Sequence, residues 1–143
     1  MGMIGALVAA AVLITATAFA LVRRRRDGVL RARRGKDDEV AETVRPDDMG
    51  AELGEKATLL QFSSAFCAPC RATRRVLGEV TEMVDGVAHV ELDAEANLDL
   101  VRRLNIVRTP TVLVLDGAGR VVRRATGAPR KPDVIAALGE VIP

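Results

Sequence analysis

The two cysteines of this 143-residue chain stand three apart, in the segment Phe66-Cys67-Ala68-Pro69-Cys70. Two thiols at this spacing can form one reversible disulfide, and the thiolate of such a pair attacks other disulfides. The segment lies between an apolar run of strand length and an amphipathic helix pattern, the context in which CxxC reads as a redox site. Cys67 then falls near the helix N-cap, where unpaired N–H groups and the positive end of the helix dipole stabilise a thiolate. Pro69 lies in the first helical turn, which needs no N–H from it, and Arg71 adds positive charge. Zinc takes about four ligands. The chain offers Cys67, Cys70 and a single histidine, His89, so metal capture there requires carboxylates or a second chain. A purely structural disulfide has little to staple over so short a separation. Inert buried cysteines are the remaining alternative.

The elements that position these residues alternate. Residues 57–62 form a short apolar run with the length of a buried strand. A helix is expected over 68–84, with Ala72, Val76, Val80 and Met83 on one face, joined by Thr73 and Leu77; Arg71, Arg74, Arg75, Glu79 and Glu82 make its polar face. A second strand covers 87–92, and a second helix 95–104, with Leu98, Val101 and Leu104 on one side. A third strand covers 111–115. The Asp116-Gly-Ala-Gly119 turn leads into a fourth over 120–125, and a last helix runs from Lys131 to Val141. The order β-α-β-α-β-β-α demands a right-handed crossover and adds an antiparallel pair. The compact solution is an α/β domain: a four-stranded mixed sheet flanked by helices.

Composition narrows the function. The chain is 49% hydrophobic with three Phe and neither Trp nor Tyr, so its core is aliphatic and it has little surface for stacking nucleic-acid bases. The net charge of +2 hides a strong asymmetry. Residues 23–36 carry seven arginines and Lys36 against Asp27 alone, residues 37–49 are acidic, and residues 50–143 are balanced. The body is therefore no nucleic-acid domain.

Residues 3–22 carry no charge, and only Gly5, Thr15 and Thr17 interrupt them. A helix of this length spans about 30 Å, the hydrocarbon thickness of a bilayer. The alternatives are a buried helix, which few soluble cores could cover on all sides, and a cleaved signal peptide, which wants a basic start before the apolar run. No cysteine near the run offers a site for lipid attachment, and Ala6 stands where a myristoylation motif wants Ser or Thr. The expectation is an uncleaved anchor over 1–22. The arginines after it, Arg23 to Arg26 and then Arg31, Arg33 and Arg34, place the rest of the chain in the cytoplasm and suit anionic headgroups. Residues 23–50 read as a charged, solvated linker, in which Asp37-Asp38-Glu39 can pair with the arginines, and 51–143 as the globular domain.

The segment from Gln61 to Arg71, QFSSAFCAPCR, resembles the active-site segment of thioredoxins. Arg108-Thr-Pro-Thr-Val112 opens a strand as the family's cis-proline loop does, and the Asp116 turn and Gly127 follow in family order. The resemblance covers roughly residues 52–141. It implies a thioredoxin-like fold in which Cys67 is the exposed nucleophile and Cys70 resolves the mixed disulfide. It also implies that Pro110 is cis and that the Thr109 backbone pairs with substrate, with Phe66, Ala68 and Pro69 beside the sulfurs. Protein disulfides would be the substrates, and a thioredoxin reductase or another thiol carrier the electron donor. No metal or organic cofactor is needed.

Three positions depart from the family pattern. Phe66 replaces the usual Trp, Ala68 makes CAPC of CGPC, and Gln61 stands where the family buries an Asp that helps the second Cys lose its proton. Gln cannot take a proton. His89 falls in the register of the family's Lys that pairs with that Asp. The expectation is that His89 near Gln61 assists proton transfer to or from Cys70; the alternative is an ordinary strand histidine. The leading reading is a membrane-tethered thiol–disulfide oxidoreductase. The alternatives are an outward-facing oxidoreductase for exported proteins, and a non-catalytic binding module built on the same groove.

Overall fold

The computed structural model describes residues 2–26, 28–32 and 42–143. Helix α1 spans Gly2–Arg26, one turn beyond the expected apolar stretch, and none of its residues is buried. Its two threonines hide their polarity: Thr15 Oγ1 donates to Ala11 O at 2.9 Å, and Thr17 Oγ1 to Leu13 O at 2.7 Å. The helix is long and apolar enough to cross a membrane, as a signal sequence also is.

Strand β1 is a two-residue piece, Arg31–Ala32, and α2 is a single turn, Pro46–Met49. The main body follows as β2 (Ala57–Ser63), α3 (Ala68–Met83), β3 (Val87–Asp93), α4 (Leu98–Arg103), β4 (Thr111–Asp116), β5 (Val121–Thr126) and α5 (Lys131–Val141). The four-stranded mixed sheet runs β5-β4-β2-β3, with β2 parallel to β3 and antiparallel to β4; β1 extends it past β5. This register brings the C-terminal ends of β2 and β5 to the N-terminal end of β4, with Phe62 opposite Thr111 and Thr111 opposite Thr126.

Strand β2 is buried on both faces, so its seven residues divide between two cores by parity. Leu60 and Phe62 join Leu113, Leu115, Leu100, Leu104 and Ile106. Ala57 and Leu59 join Val112, Val114, Leu77, Val80, Val134 and Leu138. Helices α3 and α5 cover the second face, and α4 with α2 the first.

Three sequence expectations need correction. The buried stripe of α3 is Cys70, Thr73, Leu77 and Val80, while Ala72 and Met83 are exposed. Cys70 must meet β2, and that contact turns the stripe toward it. Helix α4 begins at Leu98 rather than 95, because Asp93 Oδ1 accepts from Glu95 N at 2.9 Å and Asn97 Nδ2 donates to Asp93 O at 2.8 Å. Leu100 in the helix and Leu104 at its C-cap are buried, and Leu98 is exposed.

The third correction concerns the linker over 23–50. Residues 42–50 are packed: Val44 N donates to Gly119 O at 2.9 Å, Val121 N to Glu42 O at 3.0 Å, and Val44 and Met49 enter the first core. Asp48 accepts from Arg45 N at 2.8 Å and pairs with Arg103 at 2.7 Å. Residues 28–32 lie against the β5 edge, with Arg31 opposite Arg124 and Ala32 opposite Arg123. The apolar residues responsible are too sparse to show a period; each fills one gap. The proposed pairing of Asp37-Asp38-Glu39 lies outside the described residues.

Leu77 is fully buried where α3 meets the sheet. Leu77→Ala should cost about 2–5 kcal/mol of stability, read as a lower denaturant midpoint with unchanged slope for the detergent-solubilised chain.

Candidate active site

The end of the sheet where β2, β4 and β5 meet carries three loops. The first runs from β2 into α3. Cys67 is the α3 N-cap, and its sulfur and carbonyl oxygen each lie 3.2 Å from Cys70 N, which can donate to either. Pro69 lies in the first turn, as its missing N–H allows. Cys67 and Cys70 are joined in a disulfide, their Cα atoms 5.2 Å apart. Cys70 is buried and Cys67 half-buried, so a substrate sulfur can approach Cys67 alone. Phe66 is fully exposed beside it, with Ala68 and Pro69 exposed on the other side.

The second loop holds Thr109 and Pro110, and the bond between them is cis. Pro110 is buried and Thr109 half-buried. Ser64 Oγ and Thr109 Oγ1 are 3.0 Å apart and tie this loop to the first. The third loop follows β5. Gly127 N donates to Pro110 O at 2.8 Å, and Arg108 Nη2 donates to Thr126 O at 3.2 Å. These bonds draw the three loops together at one end of the sheet, with the disulfide following β2, the cis Thr109–Pro110 bond preceding β4 and Gly127 following β5.

Beneath Cys70 lies Gln61, fully buried. Its Nε2 donates to Cys70 O and to Ser63 Oγ, both at 2.9 Å. Its Oε1 is 3.1 Å from His89 Nε2. Both amide hydrogens are spoken for, and turning the amide over would set its oxygen against the Cys70 carbonyl. The oxygen therefore faces His89, and His89 must donate from Nε2, leaving Nδ1 as an acceptor. Burial pushes the His89 pKa down from its ordinary value, opposed by Glu91 and assisted by Arg74. The imidazole is thus kept neutral.

Sequence reasoning missed the surroundings of this pair. Glu91 sits opposite Gln61 in the β2–β3 register and is gripped by Arg74 through two bonds, at 2.5 and 2.8 Å. Those bonds hold the Glu91 carboxyl below the usual Glu range, and a hydrogen bond from Ser63 adds to the effect. A chain of contacts therefore runs Arg74–Glu91–Ser63–Gln61–His89. Ser63 was visible in sequence as the residue two beyond Gln61 on the same strand face; Glu91 and Arg74 are too far apart in the chain to announce a pair. The metal alternative would need both sulfurs, which here bond each other. Among the described residues no group of three or more His, Cys, Asp or Glu side chains is placed to hold a metal ion.

Residues 41–140 match the thioredoxin family. The chain belongs to that family. The thioredoxin of Mycobacterium bovis is 30% identical over 112 residues, covering 75% of this chain and 96% of that protein. The thioredoxin of Alicyclobacillus acidocaldarius is 32% identical over 90 residues, covering 62% and 85%. The bifunctional thioredoxin reductase/thioredoxin of Mycobacterium leprae is 30% identical over 89 residues, and this chain spans only 19% of it. Among solved structures, chloroplastic thioredoxin z superposes with a TM-score of 0.55 at 27% identity, over 61% of this chain and 79% of that one. The protein is thus a thiol–disulfide oxidoreductase of the thioredoxin family with a CxxC pair, on the thioredoxin fold. Thioredoxins act on protein disulfides and are reduced by thioredoxin reductase.

The depressed His89 has a consequence for stability. On acidification the unfolded chain takes up that proton first, so stability is full above about pH 6.5 and falls as pH drops through 6.5 toward the folded value. Glu91 and Asp48, both lowered, add losses only below their ordinary 4.5 and 3.8. Denaturant midpoints should therefore fall between about pH 7 and about pH 5.5 in the wild type, and the curve should be flatter for His89→Gln.

Proposed function

We propose that this thioredoxin-family protein is a single-pass membrane-tethered oxidoreductase that reduces protein disulfides on the cytoplasmic face. The observation that carries the reading is the pairing of an accessible Cys67 at a helix N-terminus with a buried Cys70, on a chain whose first helix is wholly exposed and ends in four arginines. The anchor is residues 1–22, with Arg23 to Arg26 at the anionic surface. The reducing thiol pool of that compartment favours the reductive direction.

In the reduced protein, Cys67 thiolate attacks one sulfur of the substrate disulfide. A Cys67–substrate bond forms, the substrate S–S bond breaks, and the leaving thiolate takes a proton. Cys70 thiolate then attacks Cys67 Sγ, the second substrate thiolate leaves, and the Cys67–Cys70 disulfide remains. The Thr109 backbone beside the sulfurs pairs with the substrate chain, Pro110 shapes the groove, and Phe66, Ala68 and Pro69 form its rim. A thioredoxin reductase or another thiol carrier returns two electrons and two protons; the name of the Mycobacterium leprae relative joins those two activities in one chain. The proton that Cys70 must lose finds no carboxylate at Gln61. Gln61 instead fixes the tautomer and position of His89, whose neutral imidazole supports that transfer as a positioning and proton-accepting partner.

Three variants test this reading on the full chain in vesicles. Cys67→Ser should abolish insulin disulfide reduction. Cys70→Ser should accumulate a mixed disulfide visible on a non-reducing gel. His89→Ala should slow release of the mixed disulfide by on the order of tenfold, less than the ~10²–10⁴ of a direct general base, and remove the acid limb of its pH profile. An unchanged release rate in His89→Ala would sink the histidine's role. Release of the protein from membranes by alkaline carbonate would sink the tether.

A further inference from the structure

Only Asp27 separates the end of α1 at Arg26 from Gly28, and Gly28 is already part of the domain. Gly28 N donates to Thr126 O at 2.8 Å. Its φ is +79°, and a Cβ there would overlap the carbonyl oxygen of Ala128, so the backbone lies hard against the loop after β5. Leu30 then packs against the α3/α5 core, and Arg31–Ala32 pair with Arg124 and Arg123. The loop that Gly28 touches is the third of the loops at the active-site end of the sheet: its Gly127 N donates to Pro110 O at 2.8 Å.

Two consecutive Cα–Cα steps are at most about 7.6 Å, so the last residue of α1 lies within that distance of Gly28. Val22 closes the uncharged stretch and Arg26 is four residues later, about 6 Å along the helix. No α1 side chain is buried against the domain, so the helix leaves the body rather than lying on it. The exit point is therefore at the active-site end of the sheet. The opposite end, the turn at 116–119, lies a strand length away, about 20 Å.

Resting on the tethered-oxidoreductase reading, we propose that the chain holds its dithiol groove at the bilayer surface. Its substrates are then disulfides in the juxtamembrane segments of integral membrane proteins. The short docked connection, not a long tether, sets this selectivity. Reduction follows the exchange already written: the Cys67–Cys70 dithiol supplies both electrons and both protons, and the substrate cysteines leave as two thiols.

The test uses the full chain in anionic vesicles, with quenchers attached to lipid headgroups. One sample carries a fluorophore on Cys67 in a Cys70→Ser background. The other carries it on exposed Ala118→Cys in a Cys67→Ser, Cys70→Ser background. The Cys67 probe should be strongly quenched and the Ala118 probe weakly. A 20-residue Gly/Ser insertion between Arg26 and Asp27, with a reach of about 25 Å, should erase the difference while leaving reduction of soluble insulin unchanged. The same insertion should abolish a preference for a transmembrane peptide whose disulfide loop adjoins the bilayer over one with the loop set far out on a rigid spacer. Equal quenching at the two positions, stronger quenching at Ala118, or no preference between the peptides would overturn the proposal while insulin reduction continued. Loss of insulin reduction by the uninserted wild type would instead overturn the oxidoreductase reading on which it rests.

Discussion

The contact on which this site depends is the pair of hydrogen bonds that the buried Gln61 amide gives to Cys70 O and Ser63 Oγ. A buried amide left unpaired costs about 1–3 kcal/mol per group, so these bonds act as a constraint. They fix the first turn of α3 against the end of β2. That places Cys70 under the surface and leaves Cys67 at the helix N-cap, half-buried, with its sulfur near the Cys70 N–H. The same amide turns its oxygen to His89 and so chooses the histidine's tautomer. One side chain thereby ties together the burial of Cys70, the exposure of Cys67 and the tautomer of His89.

The site is assembled by bonds between loops rather than within them. Ser64 meets Thr109, Gly127 meets Pro110, and Arg108 meets Thr126. Each pair links segments brought together by the β2–β4–β5 register. The two aliphatic cores on either side of the sheet hold that register, because a slip by one residue would exchange Leu59 for Leu60 between them and expose Gln61 to the wrong face. Packing far from the sulfurs thus determines the distances at them.

The N-terminal region adds a second constraint. The edge of β5 would be an open ladder, and the 28–32 segment covers part of it. The segment that covers that edge also bonds the loop after β5, through Gly28 N and Thr126 O. The family match starting at residue 41 agrees with the packed positions of Val44 and Met49, which belong to the domain although their neighbours are charged.

Much of this was legible in the residues themselves. The alternation of short apolar runs with amphipathic stretches determined the element order, because periods of 2 and 3.6 are local properties. The Cys67–Cys70 spacing between strand and helix determined the chemistry, and Thr109-Pro110 marked the second loop. Twenty uncharged residues determined a helix able to span a bilayer. Tertiary structure alone decided which face of α3 is buried, that Leu98 points outward, and that 42–50 packs. It also decided that Arg74 and Ser63 reach Glu91 behind Gln61, and that the segment after α1 meets the sheet at the end that carries the cysteines. These depend on contacts between residues distant in sequence, whose energies come from fitting one surface to another, and no local pattern carries that fit.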